Sequence, residues 1–153
     1  MKAVLQRVTR AAVSVDGATV GGIGQGLLVL LCAEHGDGRQ TAAYLAGKTA
    51  RLRIFSDPAG KFNLSLLDIG GQALVVSQFT LAANWRKGNR PSFSDAAPPE
   101  QAEPLYRAFC SELRTLGIVV ETGIFGRHMK IDLLNDGPVT LWLDSRAAET
   151  ARK

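Results

Sequence analysis

The chain has few of the residues on which many enzymes depend, with two cysteines and two histidines among 153 residues. Cys32 lies in a strand-like run and Cys110 in a helix-like run, far apart. Neither a CxxC motif nor a disulfide framework is available, and both read as reduced core thiols. His35 and His128 cannot supply a cluster of metal ligands, and HExxH and paired-cysteine patterns are missing, so neither a metal site nor a cofactor is expected. There is no Gly-x-Ser-x-Gly nucleophile elbow, and neither histidine is placed beside a particular serine. A hydrolase built on this chain is therefore not expected to use a conventional triad. Gly22 and Gly24 lack the third glycine of a dinucleotide fingerprint, its place being taken by Leu27, and Gly-Lys-Ser/Thr is absent. Gly21, Gly22, Gly24 and Gly26 read instead as tight turns. The longest apolar run, residues 27–33, falls far short of the roughly 20 residues that cross a bilayer. With no signal-peptide pattern at the start, a helical membrane protein is excluded and a cytoplasmic location is expected.

What is present is a globular balance, with 46% hydrophobic and 21% charged residues. The length suits a single domain, read as residues 1–146 with a frayed tail at 147–153. A net charge of +4 permits attraction to a polyanion without demonstrating one. Valine-rich alternation predicts strands at 1–8 and 11–15 with a bend or bulge at Thr9-Arg10, followed by a hairpin at Asp16-Gly17 and a buried strand at 27–32. Ala42, Leu45, Ala46, Thr49 and Leu52 form a helical stripe, as do Leu105, Phe109, Leu113 and Leu116, the second helix starting near Pro98 and Pro99 and ending at Gly117. Pro104 is expected to disturb its first turn. A short strand is expected at 53–55, a central strand at 73–81 and closing strands at 118–121, 123–134 and 139–144, while 61–67 stays ambiguous. Residues 82–99 read as a long surface loop. The order implies an α+β fold, a mixed or antiparallel barrel-like sheet with two amphipathic helices.

Two places carry unusual chemistry. Ser77, Gln78, Phe79 and Thr80 lie where a buried strand meets solvent, presenting two hydroxyls, an amide and consecutive backbone N–H groups. On spacing alone the favoured reading is a strand turning polar as it meets solvent. Asn135 to Thr140 forms a turn in which Gly137-Pro138 is a candidate for a cis peptide bond, the alternative being an ordinary β-turn.

Together these two segments resemble the signature motifs of the D-aminoacyl-tRNA deacylases, also called D-tyrosyl-tRNA deacylases. Gln6-Arg-Val8, the loop from Lys87 to Phe93, and Phe125-Gly126 with Met129 are similar to that family as well, so the likeness covers nearly the whole chain. The resemblance implies an editing hydrolase that cleaves the ester between a D-amino acid, or mischarged glycine, and the terminal adenosine of tRNA. It also implies a homodimer in which Gly137-Pro138 of one subunit enters the other's active site and rejects L-amino acids, supported by Arg7, Val139 and Thr140. By the same resemblance the 2′-hydroxyl of the RNA assists the attacking water, and Met129 lines the adenosine pocket.

Backbone N–H groups near Gln78 and Phe79 are candidate oxyanion donors. Ser77 and Thr80 are read as positioning groups, because a nucleophilic hydroxyl needs an adjacent base and none is evident. Arg86, Lys87 and Arg90 are candidate phosphate contacts, with Trp85 and Phe93 available to stack; a solvated loop is the alternative. Arg127-His128 and Trp85 depart from the family's more usual smaller residues and leave the details of RNA contact open. Two other readings remain: an RNA-binding module without turnover, and a small-molecule esterase using Thr80 or Ser77 covalently.

Overall fold

In the computed structural model, which describes residues 1–150 with side chains through Ala147, the valine-rich start forms one strand, β1 (Lys2–Val15). Two strands were the expectation. The Thr9-Arg10 step is a bulge, one of the two forms expected there, but it interrupts a single strand, since pairing continues on both sides of it with a register shift between Val8 and Arg10. Asp16 and Gly17 have φ of 50° and 83°, the left-handed pair that turns a two-residue hairpin into β2 (Ala18–Ile23).

β3 (Gly26–Cys32) follows, then α1 (Arg39–Arg51), a hairpin of β4 (Phe55–Ser56) and β5 (Phe62–Leu64), and β6 (Gln72–Ser77). A 3₁₀ turn spans Phe79–Ala82, so the central strand stops at Ser77, four residues before the expected end at Leu81. After the long loop come α2 (Pro99–Thr115), β7 (Val119–Thr122), β8 (Lys130–Asp144) and a short α3 (Ser145–Thr150). Pro104 lies inside a continuous α2 rather than disrupting its start. The expected fray from 147 is helical through Thr150, and residues 151–153 of that expectation lie outside the described residues.

The main sheet is mixed, in the order β2, β1, β3, β6, β7, with β8 along the other edge of β1. β3 and β6 run parallel at its centre, and β1 pairs antiparallel with β2, β3 and β8. Gly21 and Gly26 serve close approach rather than turns. A Cβ on Gly26 would lie 1.9 Å from the Gln72 carbonyl oxygen, and one on Gly21 2.7 Å from that of Thr122 on β7. The second approach brings β2 near β7 and nearly closes the sheet into a barrel.

α1 and α2 cover one face, their stripes meeting Leu5, Val29 and Val75 in a core that includes fully buried Phe109 and Leu113. Cutting Phe109 to alanine would cost about 3–5 kcal/mol. A smaller core of Val8, Val13, Ile23, Leu28 and Leu74 fills the curved side. The fold is α+β and barrel-like as expected, the third helix and the 3₁₀ turn being additions.

Candidate active site

The site begins where β6 gives way to the 3₁₀ turn. Gln78 donates its backbone N–H to the Leu31 carbonyl at 2.8 Å, extending the β3–β6 ladder by one bond, so this group is not free to bind a ligand. Its side-chain amide donates to the Thr80 hydroxyl oxygen, leaving the hydroxyl proton to point elsewhere. Phe79 and Thr80 open the turn, where the first N–H groups have no preceding carbonyl in the helix to bind. Of the two N–H positions expected as donors, Gln78 and Phe79, geometry favours Phe79 and adds Thr80.

Behind the turn lies Cys32, which donates its thiol to the Ala33 and Phe79 carbonyls at 3.4 and 3.6 Å. Burial, with a contribution from the Glu34 carboxylate, pushes this thiol up to about 11, so it is neutral near pH 7 and holds the turn rather than attacking a substrate. A cavity of about 330 Å³ opens here, walled by Cys32, Ser77, Phe79, Phe93, Ala102 and Phe125; among the described residues its lining contains no carboxylate or imidazole. Phe79, 57% exposed, packs edge-on against Phe93 with ring centroids 5.3 Å apart.

The second motif is built differently. Gln6 pairs with Thr140 and Val8 with Asn135, so the residues from Asp136 to Val139 bulge out of β8 opposite Arg7. The expected turn between two strands is thus a bulge within one. Arg7, 7% exposed, donates Nε to the Asp136 carbonyl at 3.0 Å and Nη1 to the Ile54 carbonyl at 2.7 Å, with the Phe62 ring 5.2 Å from its guanidinium. Its Nε also lies 3.1 Å from the Asp136 carboxylate. Asn135 donates Nδ2 to the carbonyls of Arg7 and Val139, and Gln6 donates to the Thr140 hydroxyl at 3.2 Å. Val139 is buried in the main core, while Gly137 and Pro138, joined by a cis peptide bond, face outward.

Strand register separates the two motifs within one chain. Ser77 shares a row with Leu31, Ala3 and Leu143, whereas Arg7, opposite the bulge, shares a row with Leu27 and Ala73. The bulge is thus three strands across and about four residues along from Ser77, on the order of 20 Å over the sheet.

A sequence profile of the family described as D-Tyr-tRNA(Tyr) deacylase matches residues 4–144, a span that includes both motifs. The chain belongs to the D-Tyr-tRNA(Tyr) deacylase family. It is 62% identical over 145 residues to a D-aminoacyl-tRNA deacylase of Thermomicrobium roseum, covering 95% of this chain and 94% of that protein. A D-aminoacyl-tRNA deacylase of Ruegeria pomeroyi is also 62% identical, over 94% of this chain and 99% of the relative. Among solved structures, a c-Myc DNA Unwinding Element Binding Protein superposes with a TM-score of 0.88 at 42% identity, covering 94% of this chain and 98% of its own. A probable eukaryotic D-amino acid tRNA deacylase shares the fold at a TM-score of 0.77 and 18% identity, covering 93% of this chain and 97% of its own.

In this deacylase-family chain the basic loop leaves directly from the 3₁₀ turn. Paired backbone bonds between Asn84 and Ser92, at 2.7 and 2.9 Å, pinch its base and hold Trp85, Arg86, Lys87 and Arg90 out in solvent, Trp85 being 73% exposed. Met129 is half-buried against the smaller core, where its sulfur lies 2.4 Å from the position a Gly123 Cβ would take. It is not part of the lining of the cavity beside Ser77. Sequence reasoning missed Cys32 and Ala102 as cavity walls and Asn135 as the clamp of the bulge. The first two carry no motif signal, and the third was visible only as one letter of the second motif.

Proposed function

We propose that this chain is a D-aminoacyl-tRNA deacylase, cleaving the ester that joins a D-amino acid, or glycine mischarged on tRNA, to the terminal adenosine. The observation that carries this reading is the start of the 3₁₀ turn, whose first residue, Phe79, joins Ser77 in walling an aromatic-lined cavity with no general base among the described residues of its lining. The adenosine enters that cavity and its base stacks on the phenylalanines. Water, assisted by the neighbouring 2′-hydroxyl, adds to the ester carbonyl carbon. Negative charge gathers on the carbonyl oxygen against the N–H donors, each worth about 3 kcal/mol in such a role. The bond to the ribose 3′-oxygen then breaks, and that oxygen takes up a proton as tRNA leaves. Ser77, Gln78 and Thr80 position the ester; none forms a bond to it, and no cofactor takes part.

Chirality is read by a second copy of the chain. Because the bulge lies far from the Ser77 row of its own sheet, Gly137 and Pro138 act on the site of a dimer partner. There their backbone obstructs an L side chain and leaves a D side chain or glycine unhindered. Arg7, Asn135, Val139 and Thr140 fix the bulge. Arg86, Lys87 and Arg90 meet tRNA phosphates with Trp85 beside them, Met129 packs behind the pocket, and residues 1–146 act as one unit in the cytoplasm.

The test is single-turnover release from D-tyrosyl-tRNA ending in ribose or in 2′-deoxyribose, with glycyl-tRNA in parallel. The ribose and glycyl esters should be released quickly and the deoxy ester slowed by about 10²-fold or more. Equal rates on both termini, with an acyl-enzyme trapped, would indicate a covalent esterase. Binding without release would favour a nucleic-acid-binding module, a reading to which the DNA-binding name of one solved relative lends support.

A further inference from the structure

Beyond Phe125 lies a second cavity that the reaction above does not use. It measures about 500 Å³ and is lined by Glu103, Tyr106, Arg107, Arg114, Thr122 and Phe125, among others. Phe125 is a wall of both cavities, so the two adjoin. Along α2, Ala102 faces the first cavity, while Glu103, Arg107 and Arg114 line the second, at successive steps of four and seven residues that keep these three on one helix face. From Ala102 to Arg114 the helix rises about 18 Å, long enough to flank a few nucleotides of a single strand.

The charge on this face suits a polyanion. Arg107 commits Nε and Nη2 to the Glu103 carboxylate, and Arg114 commits Nη2 to the Val120 carbonyl at 3.0 Å. A guanidinium has five N–H donors in a fork, so each keeps donors for phosphate oxygens. Two guanidiniums against one carboxylate leave this wall positive, while half-buried Phe125, backed by the buried Tyr106 ring at a centroid distance of 6.0 Å, offers an aromatic side for a base.

We infer that this groove holds the single-stranded nucleotides immediately preceding the terminal adenosine, with Arg107 and Arg114 on their phosphates and Phe125 dividing the last base from the one before it. The inference rests on the deacylase reading, because it needs the terminal adenosine in the first cavity. It makes Arg107 and Arg114 determinants of recognition for RNA longer than one nucleoside.

The experiment compares wild type, Arg107→Ala, Arg114→Ala and the double variant on D-tyrosyl-tRNA and on D-tyrosyl-adenosine, which carries the ester on the terminal nucleoside alone. Binding of uncharged tRNA is measured as a function of salt. Expected in the double variant is a rise in KM for the tRNA ester with little change in kcat. The ratio of kcat/KM between tRNA and nucleoside esters falls about tenfold or more, and the log–log salt slope decreases by about one per arginine removed. Equal losses on both esters would mean that the arginines serve only the fold, and unchanged slopes that the groove does not hold RNA. Either overturns the inference. If wild type releases neither ester the deacylase reading fails, and the salt slopes still decide whether the groove binds RNA.

Discussion

One side-chain amide closes the bulge in β8: Asn135 donates Nδ2 to the Arg7 carbonyl at 2.9 Å and to the Val139 carbonyl at 3.3 Å. It therefore ties the strand opposite the bulge to the residue where the bulge ends. Asn135→Ala removes both donors and is expected to cost about 1–3 kcal/mol in denaturant unfolding, with the D-to-L rate ratio falling. Asn135→Asp keeps the size but puts a carboxylate against two carbonyls, so it should be worse than alanine. A wild-type D-to-L ratio in both variants would contradict this role.

Arg7 serves the same bulge from below, through Asp136, Ile54 and Phe62. A lysine ammonium is a single point and cannot reach the Asp136 and Ile54 carbonyls with the geometry of a planar fork. Arg7→Lys should therefore lose L-rejection nearly as completely as Arg7→Ala. The check is L-tyrosyl-tRNA deacylation by each variant, and full rejection by Arg7→Lys would show that charge alone suffices.

Thr80 accepts from the Gln78 amide beside the N–H donors, an arrangement for holding a substrate. Thr80→Val is expected to lower kcat by about tenfold to a hundredfold, with no acyl-enzyme detectable by mass spectrometry in either protein. Loss of about 10⁴-fold or more, with an acyl adduct in wild type alone, would make Thr80 the nucleophile.

Both thiols carry a pH signature. Burial raises Cys32 and Cys110 from 9.0 to about 11 in the folded chain, so the folded state holds these protons where the unfolded state has released them. Their contribution is complete below pH 9 and is lost as pH rises through about 11. The melting temperature should fall across that window, and less steeply in Cys32→Ala/Cys110→Ala. An identical fall in the double variant would assign the effect to other groups.

Much of this architecture is legible in the sequence, because the helical stripes and the apolar run ending at Ser77 each match one period of burial. The misreadings sit where backbone geometry departs from that period. Asp136 to Val139 contains turn-forming residues, yet it is a bulge inside one long strand, and the bulge at Thr9-Arg10 likewise lies within one strand where two were expected, because pairing on either side outweighs local preference. The apolar letters of Phe79 and Leu81 hid the 3₁₀ turn, which begins directly after the last ladder bond, from the Gln78 N–H to the Leu31 carbonyl. At the site, the two motifs are visible as letters, but their separation within one chain emerges only from register. The walls of the first cavity come from β3, β6, the loop, α2 and the segment after β7, a combination that no local pattern encodes.

On the proposed reading, this chain removes D-amino acids from tRNA and spares L-amino acids. The most direct measurement is a deacylation time course on D-tyrosyl-tRNA and L-tyrosyl-tRNA in parallel, with a chelator present. Rapid loss of the D-ester alone is expected, at a rate the chelator does not change. Equal loss of both esters, or loss of neither by a folded protein that binds tRNA, would contradict it.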